Sequence, residues 1–172
     1  PSISNDGSLV VFASNDASLA VAQRTSPAVP VTAPFIVLVD LVGRGARVLV
    51  EDASGPAISG DGRHLAYQRL SPVVSDTTSN SEVRLLTSTS DVPFATTADI
   101  AVQGLEAASP TTPMAMSLYA RWLAFDSASA LGERVDPAGT RLVWIADLRP
   151  TNDGSVLDTT TTTTTVATQP TT

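Results

Sequence analysis

Few side chains in this sequence could carry catalysis. His64 is the only histidine, and the chain contains no cysteine. A serine hydrolase with a nucleophile elbow would need a Gly-x-Ser-x-Gly segment, which does not occur. We interpret His64, which follows Arg63 just before an apolar run, as a solvent-facing strand residue rather than a ligand or a base. The sequence therefore predicts no catalytic residue, no cofactor and no enzymatic activity.

Asn and Asp residues next to glycines raise the alternative of a calcium site, because calcium prefers oxygen ligands of this kind. These segments are Asn5-Asp6-Gly7, Asn15-Asp16, Asp61-Gly62 and Asn152-Asp153-Gly154. None of them has the Asp-x-Asp-x-Asp-Gly spacing with a distal Glu. We therefore interpret them as turns and predict no metal site.

Two of these turns belong to a segment that recurs along the chain. Residues 1–12 read PSISNDGSLVVF, residues 56–67 read PAISGDGRHLAY, and residues 114–125 read MAMSLYARWLAF. An Asp-Gly pair between apolar residues is a strong hairpin signal, because Gly supplies the positive φ of a tight turn. We therefore expect a two-residue turn between two strands in each of the first two copies. In the third copy, Tyr119 and Ala120 replace Asp and Gly, so this turn signal is absent there.

Further apolar runs follow each copy and predict units of four antiparallel strands. A third strand is expected at residues 35–41, 82–86 and 142–148, and a fourth at residues 47–50 of the first unit. Trp122 and Trp144 lie within apolar runs, and we expect both in the core. Four-stranded units at intervals of about 55 to 58 residues indicate β-propeller blades.

The segment Pro-x-Ile-Ser-x-Asp-Gly-x-x-(Leu/Val)-Ala-(Phe/Tyr), followed by an Ile-x-Val-x-Asp-Leu strand and a Gly-containing turn, resembles the TolB-type β-propeller repeat. The resemblance covers most of residues 1–150. It implies a ring of about six to eight blades used for binding, as in bacterial surface proteins and in the propellers of prolyl-oligopeptidase-like enzymes. It carries over no catalytic residue, because Asp6, Gly7, Asp61 and Gly62 form a folding signature.

The predicted fold is all-β, with three blades and a tail. The blades are expected at residues 1–54, 55–112 and 113–157, and a Thr-rich extended tail at residues 158–172. A closed propeller has about four to eight blades, so the ring is incomplete within this chain. Three blades alone would also expose apolar sheet faces. Two copies of the chain, a longer parent protein or an open filament are the alternatives for covering those faces.

The tail begins with a run of threonines. By composition it is a disordered or O-glycosylated linker, but threonine also favours extended chain and can add as a strand to an exposed sheet edge. We expect the tail to pair with a neighbouring subunit. The candidate assembly or glycan residues are Thr159, Thr160, Thr161, Thr162, Thr163, Thr164 and Thr165.

The predicted loops differ between the two faces of the propeller. Connections between second and third strands are long, and we expect them on one face together with the links between blades. The long connections span residues 14–34, 69–81 and 127–140, and the links span residues 51–55 and 98–113. Long loops on a rigid scaffold are common binding sites. The alternative is that they are insertions without a partner.

Composition limits the partners and the location. The net charge of −7 and the absence of a basic stripe argue against a nucleic-acid partner. The longest apolar run, residues 35–42, contains Asp40 and is far shorter than the ~20 residues of a membrane span. The first residue is Pro1 rather than Met, which predicts a processed or excised chain. We expect an extracellular or cell-surface location, with the periplasm as the alternative.

Two classes of function fit these features. The first is a non-enzymatic, extracellular structural or self-assembling protein whose blade ends and Thr-rich tail contact other subunits. The alternative is a protein- or glycan-binding module, a fragment of a larger TolB-like or peptidase-associated propeller. A polymeric purified chain would favour the first class. Hydrolase activity that His64→Ala abolishes would instead indicate an enzyme.

Overall fold

The strands form three antiparallel sheets in a computed structural model, which describes residues 1–16, 18–19, 34–70, 81–102, 114–127, 142–148 and 162–164. Each sheet has four strands in meander order, so that strands adjacent in sequence are adjacent in the sheet. The predicted all-β class with four-stranded antiparallel units is therefore confirmed. Within the described residues, no helix is both long and apolar enough to cross a membrane.

The first sheet follows the apolar pattern closely. Its strands are β1 (Ser2–Ile3), β2 (Leu9–Ser14), β3 (Phe35–Asp40) and β4 (Gly45–Glu51). β3 consists of aromatic, branched and aliphatic residues up to Asp40, which suits a strand covered on both faces, and residues 35–38 are all buried. Asp40 Oδ1 accepts the N–H groups of Val42 at 3.0 Å and Gly43 at 2.7 Å, which fixes the turn into β4.

The second sheet begins almost directly after the first. Its strands are β5 (Ala53–Ile58), β6 (His64–Leu70), β7 (Ser81–Ser88) and β8 (Thr97–Ala101). The predicted link at residues 51–55 is too long, because Asp52 alone, with φ 53°, turns the chain from β4 into β5. A bulge between Ser54 and Ala57 accommodates Pro56, whose missing N–H would otherwise interrupt the pairing.

Strand β8 corrects the predicted link at residues 98–113. Residues 97–101 pair with β7, with Thr97 opposite Ser88 and Ala101 opposite Arg84. Thr97, Ala98 and Asp99 are exposed, so this edge strand has none of the apolar alternation from which a strand is predicted.

The third sheet includes part of the Thr-rich run. Its strands are β9 (Ala115–Met116), β10 (Trp122–Ser127), β11 (Leu142–Asp147) and β12 (Thr162–Thr164). β12 runs antiparallel to β11, with Thr163 opposite Trp144. These three threonines therefore belong to the third sheet rather than to a separate tail, and their pairing is with their own chain. Thr159, Thr160, Thr161 and Thr165 lie outside the described residues.

Two apolar cores lie between successive sheets. The first joins Leu9, Val11, Ile36 and Leu38 of the first sheet to Ile58, Leu65, Tyr67 and Leu86 of the second. The second joins Ala57, Ala66, Val83 and Leu85 of the second sheet to Leu123, Phe125, Trp144 and Ala146 of the third. Burying one large apolar side chain contributes about 1.5–3 kcal/mol, so these cores hold the sheets face to face.

The long connections are present as predicted from the strand ends. β2 ends at Ser14 and β3 begins at Phe35, while β6 ends at Leu70 and β7 begins at Ser81. β10 likewise ends at Ser127, well before Leu142. The connecting residues themselves lie largely outside the described part of the chain.

Candidate functional site

The turn between β1 and β2 depends on a serine and an aspartate. Ser4 donates its hydroxyl to Asp6 Oδ1 at 2.6 Å, and the same oxygen accepts the N–H of Ser8 at 3.0 Å. Leu9 donates its N–H to Ser4 Oγ at 3.0 Å. The connection therefore spans residues 4–8 rather than the predicted two residues, because the serine hydroxyl satisfies Leu9 across the longer turn. Gly7 has φ 71°, as the glycine signal predicts.

These bonds also set the acidity of Asp6. The Ser4 hydroxyl, followed by the backbone N–H and the hydroxyl of Ser8, lowers the pKa of Asp6 from 3.8 to about 2. Hydrogen bonds of this kind favour the charged carboxylate over its protonated form.

The second turn repeats these three bonds of the first, but Arg63 stands in the place of Ser8 and adds no hydroxyl bond. Ser59 donates its hydroxyl to Asp61 Oδ1 at 2.5 Å, and Asp61 Oδ1 accepts the N–H of Arg63 at 3.0 Å. His64 donates its N–H to Ser59 Oγ at 3.0 Å and so occupies the place of Leu9. Gly62 has φ 69°.

The third turn keeps this geometry without Asp or Gly. Trp122 donates its N–H to Ser117 Oγ at 2.9 Å, and Ala120 donates its N–H to the Ser117 carbonyl at 3.1 Å. Ala120 adopts φ 53°, a conformation that costs a residue with a Cβ more than glycine. The serine shared by all three copies is thus the element that the Asp-Gly signal missed.

The three turns meet at one place, which we call the turn cluster (Asn5, Gly60, Asp61 and Leu118). Asn5 donates its N–H to the Gly60 carbonyl at 2.9 Å, and Asp61 donates its N–H to the Leu118 carbonyl at 2.9 Å. A Cβ at Gly60 would lie 3.1 Å from Leu118 Cα and 3.3 Å from Asn5 Cβ. Only glycine fits there without a shift of its neighbours.

The first strands of the three sheets border a shared cavity of about 340 Å³, which we call the inner groove. Its lining includes Ser2, Ile3, Asn5, Ile58, Met114 and Met116. Ile58 donates its N–H to Ser2 Oγ at 3.1 Å, which ties the first sheet to the second here. Ile3 is 57% exposed and offers apolar surface to this groove.

The outer side of the third sheet is partly exposed in the described part of the chain. A hollow of about 550 Å³ is lined by Ala115, Met116, Ser117, Trp122, Ala124 and Ile145, which together we call the open face. Trp122 is 38% exposed, and the Arg121 guanidinium lies 4.8 Å from its ring centre. The prediction that Trp122 is a core residue is wrong, whereas Trp144 is 1% exposed. The apolar pattern alone does not tell which face of the sheet has a partner.

His64 is not the solvent-facing residue predicted from the sequence. Its side chain is 25% exposed, and Nδ1 lies 3.7 Å from Asp61 Oδ1. Ser59 donates its hydroxyl to Asp61, so its proton is not directed at the imidazole. The first turn makes the same serine–aspartate bonds with Leu9 in place of His64. The arrangement of Ser59, Asp61 and His64 is therefore explained by the turn.

Within the described part of the chain, the segments considered for calcium do not gather into a metal site. In the described residues, no group of three or more His, Asp or Glu side chains is close enough to hold an ion. Asp16 Oδ1 accepts the N–H of Ser18 at 2.9 Å and its hydroxyl at 2.6 Å, as in a turn. Asn152-Asp153-Gly154 lies outside the described residues.

A polar cluster of Tyr67, Glu82, Arg84 and Asp99 crosses the second sheet. Asp99 accepts the Tyr67 hydroxyl at 3.0 Å and Arg84 Nε at 3.0 Å, and Arg84 Nη1 donates to Glu82 at 2.8 Å. Burial, and then the charge of Asp99, raises the pKa of Tyr67. Burial lowers the pKa of Arg84, but hydrogen bonds to Asp99 and Glu82 raise it overall. No sequence pattern predicts this cluster, because Asp99 lies in a segment expected to be a loop.

Comparison with solved structures supports a propeller-like fold. The chain is similar to Pyrococcus horikoshii acylaminoacyl peptidase, with a TM-score of 0.50 and 16% identity over 90% of this chain and 23% of that one. An acylaminoacyl peptidase in complex with Z-Gly-Gly-Phe-chloromethyl ketone gives a TM-score of 0.45 and 19% identity over 74% of this chain and 20% of that one. The N-terminal part of acylaminoacyl peptidase is a β-propeller. The chain thus spans about a fifth of the length of the structures it matches.

Sequence comparisons give no relative. No model of a known protein family matches the chain. No curated protein matches it either.

The structural likeness corrects the expectation of a non-enzymatic protein. The expectation that this chain is not an enzyme is contradicted, because the solved structure with a similar fold is a peptidase. An identity below 20% over a fifth of their length shows the fold and does not carry over their activity.

Proposed function

We propose that the chain contributes three blades of a TolB-like β-propeller that binds peptides and works together with a peptidase. The observation that carries the proposal is the turn cluster, in which Asn5 bonds to Gly60 and Asp61 bonds to Leu118. These bonds bring the first strands of three successive sheets together around one groove. The innermost strands of propeller blades surround a central channel in the same way. The likeness to acylaminoacyl peptidase supports the same arrangement.

A peptide is the ligand class that fits the inner groove best. Ile3 and Met116 offer apolar surface, while Ser2 and Asn5 offer hydrogen-bonding groups beside it. The exposed lining of the groove is more polar than apolar, so a peptide backbone can form hydrogen bonds there while its side chains contact the apolar groups. One similar peptidase is in complex with a blocked Gly-Gly-Phe compound, which suggests a blocked tripeptide as the first probe.

The proposal is tested by titrating a fluorescent benzyloxycarbonyl-Gly-Gly-Phe amide into the purified chain. We expect saturable binding, and we expect Ile3→Asp to weaken it at least tenfold, because an apolar contact is replaced by a charge. The matched control is Val42→Asp, which changes an exposed valine in the β3–β4 turn, outside the groove lining. Absence of binding, or equal binding by the two variants, would contradict the proposal.

A second candidate function is self-assembly outside the cell, and the open face of the third sheet is the observation that favours it. A soluble protein rarely leaves an apolar hollow of this kind without a partner. Fractionation of the source cells tests the location. Recovery of the chain only from the cytosol would contradict an extracellular role.

A further inference from the structure

The first and second sheets each pack one face on the sheet that follows in sequence. The third sheet has residues at the equivalent positions. They are Leu9, His64 and Trp122 on the second strands, Val11, Ala66 and Ala124 two residues later, and Leu38, Leu85 and Ile145 on the third strands. Val11 and Leu38 are buried against the second sheet, and Ala66 and Leu85 are buried against the third. Trp122, Ala124 and Ile145 instead line the open face.

The opposite face of the second and third sheets packs on the sheet that precedes in sequence. The first sheet has residues at the equivalent positions. The equivalent positions are Val10, Leu65 and Leu123, then Phe12, Tyr67 and Phe125, and on the third strands Val39, Leu86 and Ala146. In the second and third sheets these residues are at most 5% exposed. In the first sheet Val10, Phe12 and Val39 are only half-buried, while Phe35 and Val37 on the same face are buried in a cluster that includes Leu19. In the described part of the chain, the first and third sheets therefore carry the two complementary halves of an interface that forms twice between neighbouring sheets.

The turn cluster gives this interface a direction. The first turn donates an N–H from Asn5 to the second, and the second donates an N–H from Asp61 to the third, at Leu118. By the same rule the third turn would donate from Leu118 or Tyr119 to a following turn. The Asn5 carbonyl of the first turn is equivalent to the accepting carbonyls of Gly60 and Leu118.

We propose that the open face of the third sheet packs on the first sheet of a second copy of this chain, so that two copies close head to tail into a six-sheet ring. This contact would continue the two internal interfaces, since one chain supplies both halves. Six sheets lie within the range of about four to eight in closed propellers. A head-to-tail contact that closes makes a ring rather than a filament. The inference goes beyond the proposed function, because peptide binding does not depend on which chain supplies the remaining blades.

An engineered disulfide tests the geometry directly, because the chain has no native cysteine. Inside the chain, a Cβ at position 60 would lie 3.3 Å from Asn5 Cβ. Position 118 is equivalent to position 60, so the same closeness is expected between position 118 of one copy and position 5 of the other. Cβ atoms of a disulfide are about 3.5–4.5 Å apart. Asn5 and Leu118 also meet in the turn cluster of a single copy, so the two cysteines are placed on separate chains. An equimolar mixture of Asn5→Cys and Leu118→Cys should therefore yield, on mild oxidation, a covalent dimer that reduction splits.

The controls separate closure from other contacts. Asn5→Cys and Leu118→Cys as single variants should stay uncross-linked, because each places its cysteine on only one side of the interface. A mixture of Asn5→Cys and Val42→Cys should also stay uncross-linked, because Val42 lies in an exposed turn outside the open face. Cross-linking of either single variant on its own, or a mixture of Asn5→Cys and Leu118→Cys that stays monomeric, would each overturn the proposal.

A second measurement needs no engineered cysteine. Sedimentation of the unmodified chain should give twice the 17.8 kDa of one copy. Trp122→Asp should raise the dimer dissociation constant at least tenfold while leaving the far-ultraviolet spectrum unchanged, because Trp122 is already partly exposed. A monomer at all concentrations would overturn the second copy as the occupant. The peptide titration would still test the proposed function, because peptide binding is measured separately from dimer formation.

Discussion

At the scale of single residues, the signature turn is defined by its serine as much as by its Asp-Gly pair. Ser4, Ser59 and Ser117 each accept the N–H of the residue that starts the next strand. The Asp-Gly pair was visible in the sequence because glycine and aspartate have strong turn preferences. The serine was not visible as a turn determinant, because its role depends on a partner five residues further along the chain.

The acidity of Asp6 is the first residue-level prediction. Ser4→Ala should raise the pKa of Asp6 from about 2 toward 3.8, because it removes the largest of the hydrogen bonds that lower it. The folded-state pKa of Asp6 lies below its unfolded value. Its stabilising effect is therefore complete above about pH 3.8 and is lost as the pH falls toward 2. Titration of the carboxyl carbon by NMR measures the shift.

Ser18→Ala is the matched control, because it removes the hydroxyl that contributes most to lowering the pKa of Asp16. It should raise the pKa of Asp16 and leave that of Asp6 unchanged. An unchanged Asp6 pKa in Ser4→Ala would contradict the role of the serine.

The left-handed conformation of Ala120 gives the second residue-level prediction. Ala120→Gly should raise the free energy of unfolding by about 1 kcal/mol, because glycine adopts a positive φ without the steric cost of a Cβ. Gly7→Ala should lower it by about the same amount, since a Cβ there meets no atom within 4 Å and only the backbone strain remains. Urea unfolding measures both, and a destabilised Ala120→Gly protein would count against a shared turn geometry.

At the scale of elements, the sequence predicted the central strands well and the edge strands poorly. β3 carries an apolar run up to Asp40 because both of its faces are covered, whereas β11 carries one although only its face toward the second sheet lies in an apolar core of the described residues. β8 and β12 lie at sheet edges, where main-chain pairing supplies the contacts and Thr or Asp is tolerated. An edge strand needs no apolar alternation, so β8 was assigned to a link and β12 to a tail.

Truncation tests the assignment of β12. A chain that ends at residue 158 should exchange the amide hydrogens of residues 143–145 faster, because it loses the strand opposite Trp144. A chain that ends at residue 165 keeps β12 and serves as the control. Equal exchange in the two truncated chains would contradict the pairing of β12 with β11.

At the scale of the whole molecule, the sequence does not show which face of each sheet packs on a neighbouring sheet. Alternation along the strands predicted buried faces, but the sequence could not say that Trp122 faces outward while Trp144 faces the preceding sheet. That distinction depends on the order in which the sheets stack. The inner groove was equally invisible, because it is built from residues far apart in the sequence, such as Ser2, Ile58 and Met114.

The central claim is that these sheets are successive blades arranged around one axis and completed by a second copy. Electron-microscope images of the purified full chain in negative stain test it most directly. If two copies form one ring of six sheets, we expect round particles with a central depression and six radial sectors. Open arcs, filaments or particles of three sectors would contradict it.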